Sequence, residues 1–544
     1  MKKYLSLLCS LAAVCTTLTA QPAFTRQDTL RGSVTPERAW WDLAYYHLDI
    51  FVNPADSTIT GSNTIRYRVL APGQRLQVDL QPPMQVEKVV QNGKELPFRQ
   101  DGNAWFVELP RPQVPGTTAA ITVFYGGRPR VARNPPWDAV MAWETDDNGK
   151  PFAATSCQGE GASLWWPCKD HMYDEPDSML LSVRVPAGLM DISNGRLRGV
   201  DENEDGTRTF HWFVGNPINN YGVNANIADY VYFSEKYPGE KGALDCDYYV
   251  LPYNLEKARE QFKDVPRMLA AFEHWFGPYP FYEDGFKLVE VPYLGMEHQS
   301  SVTYGNGYQN GYRGYDLSGT GWGLKFDFII IHEAGHEWFA NSITYQDIAD
   351  MWVHEGFTAY SENLFLDYHY GKEASADYVI GTRANIRNDR PVIGPYGVNR
   401  SGSGDMYYKG ANMLHTLRQI VDDDEKWRGI LRGMNREFYH QTVTSRQVEE
   451  YLSRQAGRDL SRFFDQYLRT ILIPRLEYRI EGKKLSYRWA NCVEGFDMPV
   501  KAFVNEQEQW LAPAVGKWKQ LKISKSIQSF RIDRNFYVEY MEIH

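Results

Sequence analysis

The 544 residues exceed what a single hydrophobic core supports, and chain length alone suggests roughly three or four domains. With 43% hydrophobic and 23% charged residues and no low-complexity tract, the chain reads as folded throughout. A formal net charge of −10 without any Lys/Arg-rich run argues against nucleic acid and anionic membrane surfaces as partners, because both need a basic face.

The chain opens with "MKKYLSLLCSLAAVCTTLTAQPAF", where Lys2 and Lys3 precede an apolar stretch reaching Val14 and small residues that end at Ala20. This is the pattern of a secretory signal peptide, too short and too weakly flanked to span a bilayer. Residues 1–20 are therefore expected to be removed. The mature chain is expected to be exported, to the periplasm or the medium, with no transmembrane segment. The bulky Val14 before Cys15 argues against a lipid anchor at that cysteine. Cys157, Cys168, Cys246 and Cys492 remain. An oxidising compartment permits a disulfide between Cys157 and Cys168, and buried free thiols fit equally well.

From Trp40 to Phe233 the apolar residues recur with period two, as in "YHLDIFV", where Tyr46, Leu48, Ile50 and Val52 share a face. Many short strands separated by turn signals predict an all-β domain over residues 21–243. Within it, "DENEDG" imitates the opening of a calcium loop, but the twelfth position is Trp212 instead of a bidentate glutamate, so a hairpin turn is expected. After Cys246 the pattern changes. Asn254 is placed to cap a helix running toward Phe276, with Pro266 breaking or kinking it and Gly277-Pro278 stopping it. Helical patterns follow in "FIIIHEAGHEWFANS", "DMWVHEGFTAYSENLFLDYHY", "KGANMLHTLRQIVDDD", "SRQVEEYLSRQ" and "LSRFFDQYLRTIL", predicting a mainly helical domain over 244–473. Alternation returns from Pro474 to His544 and predicts a small β-sandwich. The fold class expected is multidomain α+β.

The candidate chemistry sits in "IIIHEAGHEWFANSI". Ionisable groups following three isoleucines are costly to bury unless each is paired or bound. His332 and His336, four apart on a helix, lie one turn above the other and can share a metal ion. Glu333 is rotated away from that ion yet within reach of a water beside it, the arrangement of zinc peptidases. A third ligand is needed to hold zinc with one position open, and "DMWVHEGF" supplies Glu355, with eighteen residues between it and His336. His354 beside it is a rival ligand, but adjacent helical residues diverge by about 100°.

"HEAGHEWFAN", the eighteen-residue gap and "MWVHEGFTAY" together resemble the zinc aminopeptidases related to aminopeptidase N and leukotriene hydrolase, the gluzincins of the M1 peptidase family. That family usually has Asn where this chain has His354. "LGMEHQS" resembles the family's exopeptidase motif G-x-M-E-N, with Leu294 and His298 replacing its Gly and Asn, and implies that Gly295, Met296 and Glu297 line the substrate's amino end. "MYYKGANMLHTLR" resembles its Y-E-K-G segment and implies that Tyr407 is the catalytic tyrosine, with Tyr408 as the competitor. "TSCQGEGASLWWPCKDHMYDEPD" resembles the β-domain stretch that enters the active site and puts Gln158 at a second amine-binding position. The resemblance covers most of residues 40–475. It implies a thermolysin-like catalytic domain, and the family's large C-terminal helical domain has no counterpart here.

The activity implied is removal of single N-terminal residues from peptides with a free amino terminus, using one Zn²⁺. A peptide amine, with a pKa of about 7.7–8.0, is largely cationic at neutral pH, and Glu297 with Gln158 would anchor it. Glu333 would act as general base toward a zinc-bound water, and Tyr407 would donate to the oxyanion. A zinc endopeptidase on the same scaffold is the alternative, and it has no use for Glu297. The Gly/Tyr-rich stretch Tyr304–Gly323 fits either a mobile loop over the site or an inert surface excursion.

Overall fold

The computed structural model describes residues 24–138 and 140–544. The expected signal peptide, with Cys15, lies outside the described residues. Among the described residues no helix is long and apolar enough to cross a membrane.

Period-two sequence makes sheet in the N-terminal half. "YHLDIFV" belongs to the strand Trp41–Asn53, which buries Tyr46, Leu48, Ile50 and Val52 and pairs antiparallel with Thr58–Val69. These strands lie at the centre of an eight-stranded sheet, flanked by Ser178–Val185 and Thr118–Gly127. A second sheet of four strands includes Pro151–Thr155, which leads directly into the segment carrying Gln158. "DENEDG" connects the paired strands Arg196–Glu202 and Arg208–Val214 as a hairpin turn.

The sequence reading divides the chain between residues 243 and 244, but the structure places both within one hairpin. Val231–Gly239 pairs with Gly242–Val250, and the latter runs parallel to Phe286–Glu290 in a five-stranded sheet. Since the two arms of a hairpin form together, the second domain begins nearer Val231. It is also less purely helical than expected, because this sheet forms one wall.

The break or kink expected at Pro266 is a division into two helices, Leu255–Gln261 and Asp264–Phe276, placed earlier in the chain. The break falls at Phe262–Lys263. Pro266 sits in the first turn of the second helix, where its missing N–H forfeits no hydrogen bond. Asn254 precedes the first helix without capping it, and its Nδ2 donates to Glu290 at 2.7 Å instead. The segments predicted helical contain Phe328–Gly335, Trp352–Tyr370, Tyr408–Val421, Ser445–Ala456 and Ser461–Arg469. Lys372–Gly381 and Asp424–Glu437 are further helices. The second was legible, since Trp427, Ile430, Leu431 and Met434 make one apolar face at helical spacing and are buried.

From Arg475 onward, sheets of four and three strands form the sandwich. Its apolar residues, among them Leu476, Trp489 and Val500, join the same core as Phe464 and Tyr467 of the helical domain. Cys157, Cys168, Cys246 and Cys492 are free thiols, and the first three are buried. The disulfide that the sequence permitted is not formed.

Candidate active site

A cleft of about 680 Å³ opens between the β domain and the helical domain, and residues from both line it. Its floor is the helix Phe328–Gly335. Asp327 caps that helix, accepting from the backbone N–H of Ile329 at 3.1 Å and of Ile330 at 3.4 Å. Ile329, Ile330 and Ile331 are fully buried and seat the helix in the core, so His332 and Glu333 are held at the bottom of the cleft.

His332, His336 and Glu355 converge there. The two imidazole Nε2 atoms lie 3.7 and 3.3 Å from Glu355 Oε2. Both Nδ1 atoms face away: that of His332 donates to Glu362 at 2.7 Å, and that of His336 donates to the Phe339 carbonyl at 3.0 Å. With Nδ1 carrying the proton, each Nε2 presents a lone pair toward the same point. Glu355 Oε2, buried, has no hydrogen-bond donor among the described residues. Atoms bound at about 2.0–2.1 Å to one tetrahedral zinc ion are about 3.4 Å apart, which fits the separations found. Four buried carboxylates, Glu297, Glu333, Glu355 and Glu362, share this small volume and oppose one another unless cations are present. The donor set and its charge therefore fit Zn²⁺.

Two glycine contacts set the geometry. A Cβ on Gly295 would stand 2.5 Å from Ile329 Cγ2 and 2.9 Å from the Thr303 carbonyl. Only glycine lets the edge strand Gly295–Met296, paired with Val302–Tyr304, lie this close to the histidine helix. A Cβ on Gly410 would stand 2.9 Å from Gly356 Cα, so the helices Trp352–Tyr370 and Tyr408–Val421 touch backbone to backbone and bring Tyr407 beside Glu355.

Glu297, 2% exposed, follows that edge strand, and its own carbonyl accepts from Asn341 Nδ2 at 3.0 Å. Its carboxylate accepts from the Tyr221 hydroxyl at 3.1 Å and from the Gln158 amide, which also donates to Glu355 Oε1 at 2.9 Å. The Gln158 segment is clasped from both sides: Arg31 and Asn399 donate to the Gly159 carbonyl at 3.2 and 3.1 Å. Burial raises the Glu297 carboxyl above its ordinary range, with Glu355 adding to the effect against His336. Burial likewise pushes Glu333 up to about 7, reinforced by Glu297 and Glu355 and opposed by the histidines. The Tyr407 hydroxyl is pushed well above its ordinary value by burial and the surrounding carboxylates, so it stays a donor.

Every residue singled out from the sequence for this site, Gln158, Gly295, Met296, Glu297, His332, Glu333, His336, Glu355 and Tyr407, lines the cleft. Tyr408 lines it too, but the Tyr407 ring is the one that lies against His332, 6.0 Å between centroids. His354 is not a ligand. Its Nε2 accepts from the Tyr345 backbone N–H at 2.9 Å and its ring packs on Tyr345. His298 is buried behind the edge strand, with Nδ1 3.3 Å from Thr303 Oγ1. Of the Gly/Tyr-rich stretch, Tyr312 alone reaches the cleft, packed on Phe328. Much of the rest is tied down by Asn306, whose Nδ2 donates to Gln309, Gly311 and Asp327.

The sequence reading missed Glu362, Tyr221, Trp137 and Arg387. Glu362 was findable: seven residues after Glu355, it returns to the same helix face. Its other oxygen accepts from the Tyr378 hydroxyl at 2.5 Å, so it fixes the ring of His332. Glu362→Gln is expected to weaken zinc binding by about ten- to a hundredfold, read by competition with a chelating dye. Unchanged affinity would show that His332 is oriented without it.

A model of the Peptidase family M1 domain matches residues 261–467. Among curated proteins the chain is 25% identical over 308 residues to endoplasmic reticulum aminopeptidase 1 of Mus musculus, a match covering 54% of this chain and 32% of that protein. It is 23% identical over 481 residues to aminopeptidase B of Rattus norvegicus, covering 80% and 69% respectively. Leukotriene A-4 hydrolase of Xenopus laevis is 21% identical over 445 residues, covering 77% and 68%. The chain thus spans under a third of the first of these relatives and about two thirds of the other two. Among solved structures, an M1 zinc metallopeptidase from Deinococcus radiodurans superposes with a TM-score of 0.67 at 20% identity, covering 80% of this chain and 95% of that one. A likeness at that identity establishes the common fold.

Proposed function

On the premise that the chain carries a peptidase family M1 domain over residues 261–467, we propose that it is a zinc-dependent aminopeptidase that releases single N-terminal residues from peptides. The observation that carries this reading is Glu297: a buried carboxylate joined through the Gln158 amide to the metal-binding Glu355. A carboxylate so placed matches a substrate ammonium and would fix it beside the ion.

His332, His336 and Glu355 would hold one zinc ion, which supplies Lewis acidity toward the scissile carbonyl and water. Glu333, at the bottom of the cleft, takes the proton from the attacking water and passes it to the departing amine. Tyr407 donates its hydroxyl to the oxygen on which charge develops. Glu297 and Gln158 bind the amine, and Met296 packs against the first side chain. The basic n-region and apolar stretch before Ala20 support export of the chain to the periplasm or the medium.

The test is a decapeptide offered with a free and with an acetylated N-terminus, its products followed by mass spectrometry. Stepwise loss of single residues from the free peptide alone is expected. Internal cleavage of both peptides would make the enzyme an endopeptidase and remove Glu297 from substrate recognition. Glu297→Ala is expected to raise KM for aminoacyl substrates by roughly tenfold or more, since a charge-assisted contact is lost. An unchanged KM would count against amine binding at this residue.

A further inference from the structure

Gln158 opens a loop that does not hold itself in place. Over residues 158–161, Gly159 and Gly161 stand at φ +73° and +92° on either side of Glu160. Two glycines in that region leave a loop many conformations when it is unfastened. Its own backbone closes one turn, the Gly161 N–H donating to the Cys157 carbonyl at 2.7 Å, and that bond leaves the Gly159 carbonyl free. Yet the Gln158 amide must keep one geometry to donate to Glu297 and Glu355 together. The order has to come from groups outside the loop.

Arg31 supplies much of it. It lies on the helix Arg26–Gly32 and donates through Nη2 to the Gly159 carbonyl at 3.2 Å, where Asn399 Nδ2 also donates at 3.1 Å. The same Nη2 stands 3.8 Å from Asp170 Oδ2, and the two side chains are only 15% and 9% exposed. Asp170 is fixed in turn, accepting from the N–H and the hydroxyl of Ser163. A Cβ on Gly161 would stand 2.1 Å from Arg31 Nη2 and 2.3 Å from Asp170 Oδ2, so the pair closes over the second glycine. The helix that carries Arg31 is docked on both domains. Gln77 Nε2 donates to the Leu30 carbonyl at 3.1 Å, and the Leu30 side chain packs with Ala104 and Phe106 of the β domain. On the other side, a Cβ on Gly32 would meet the Val398 carbonyl carbon of the catalytic domain at 2.1 Å.

Resting on the aminopeptidase reading above, we infer that Arg31 is a positioning residue for amine recognition: it fixes the Gly159 carbonyl and thereby holds the Gln158 amide between Glu297 and Glu355. The helix Arg26–Gly32 thus completes the binding site for the substrate's ammonium group, although none of its residues lines the cleft. Because Gln158 meets the amine and not the scissile bond, loosening it lowers substrate affinity more than turnover. An effect routed through one side chain also leaves a signature. Once the Gln158 amide is gone, nothing remains for Arg31 to position.

The test is a double-mutant cycle between Arg31→Met and Gln158→Ala, read as kcat and KM on a panel of aminoacyl p-nitroanilides. Methionine keeps an unbranched apolar stem and removes the donor. Arg31→Met is expected to raise KM about three- to tenfold, with kcat within about twofold and zinc content unchanged. Gln158→Ala is expected to raise KM at least as much, and the double variant to match Gln158→Ala alone. Arg31→Lys, which returns a donor and the charge opposite Asp170, is expected to recover part of the loss. A wild-type KM in Arg31→Met, a loss confined to kcat, or effects that multiply in the double variant overturn the inference while leaving the aminopeptidase reading intact. Should Arg31→Met not fold because Asp170 is left unpaired, Arg31→Met combined with Asp170→Asn takes its place in the cycle, and the same outcomes decide. If the wild type releases product from none of the panel, the aminopeptidase reading fails and this inference with it.

Discussion

Glu333→Gln is expected to keep one zinc ion per chain and to lower kcat by about a hundred- to ten-thousandfold, the range that positioned general acid–base catalysis supplies. The substitution is nearly isosteric and lies outside the group formed by His332, His336 and Glu355, so metal content measured by mass spectrometry should match the wild type. What it removes is the carboxylate oxygen that accepts a proton. Burial, with Glu297 and Glu355 adding to it against the histidines, pushes the Glu333 carboxyl up to about 7, which suits a group that must both take and return a proton. Loss of zinc together with activity would mean that Glu333 supports the metal site. Turnover within a few-fold of wild type would remove it from the reaction.

The second large effect is expected at Tyr407. Tyr407→Phe should lower kcat by roughly a hundredfold with little change in KM, because a donor to the developing oxyanion contributes to the transition state and little to substrate binding. Tyr408→Phe is the control, since Tyr408 also lines the cleft but the Tyr407 ring is the one against His332. If the two variants exchange effects, the register of this segment has been read one residue out. Equal small losses in both would assign stabilisation of the oxyanion to other groups.

That His332, His336 and Glu355 come together with Glu333 beside them was legible because local rules fix it. Two histidines four apart on a helix must share a face, and a second helix with Glu355 soon after supplies the third donor. The alternating strands around "YHLDIFV" were equally legible, because burial of one face of a sheet imposes period two. The five-stranded sheet was not. Its strands Gly295–Met296 and Val302–Tyr304 are too short to show a period, and they exist because neighbouring strands and the histidine helix complete their hydrogen bonds and burial.

The roles of the histidines that replace asparagine show the same division. Composition could not say whether His354 would bind metal. The fold decides against it by giving its Nε2 to the Tyr345 backbone, a contact between residues on different elements. The sequence by itself determined which residues can chelate, accept a proton or donate to an oxyanion, since those capacities belong to side-chain chemistry and helical spacing. Only the tertiary structure decided that Gln158 reaches Glu355 across 197 positions of chain, because such contacts depend on how the domains pack.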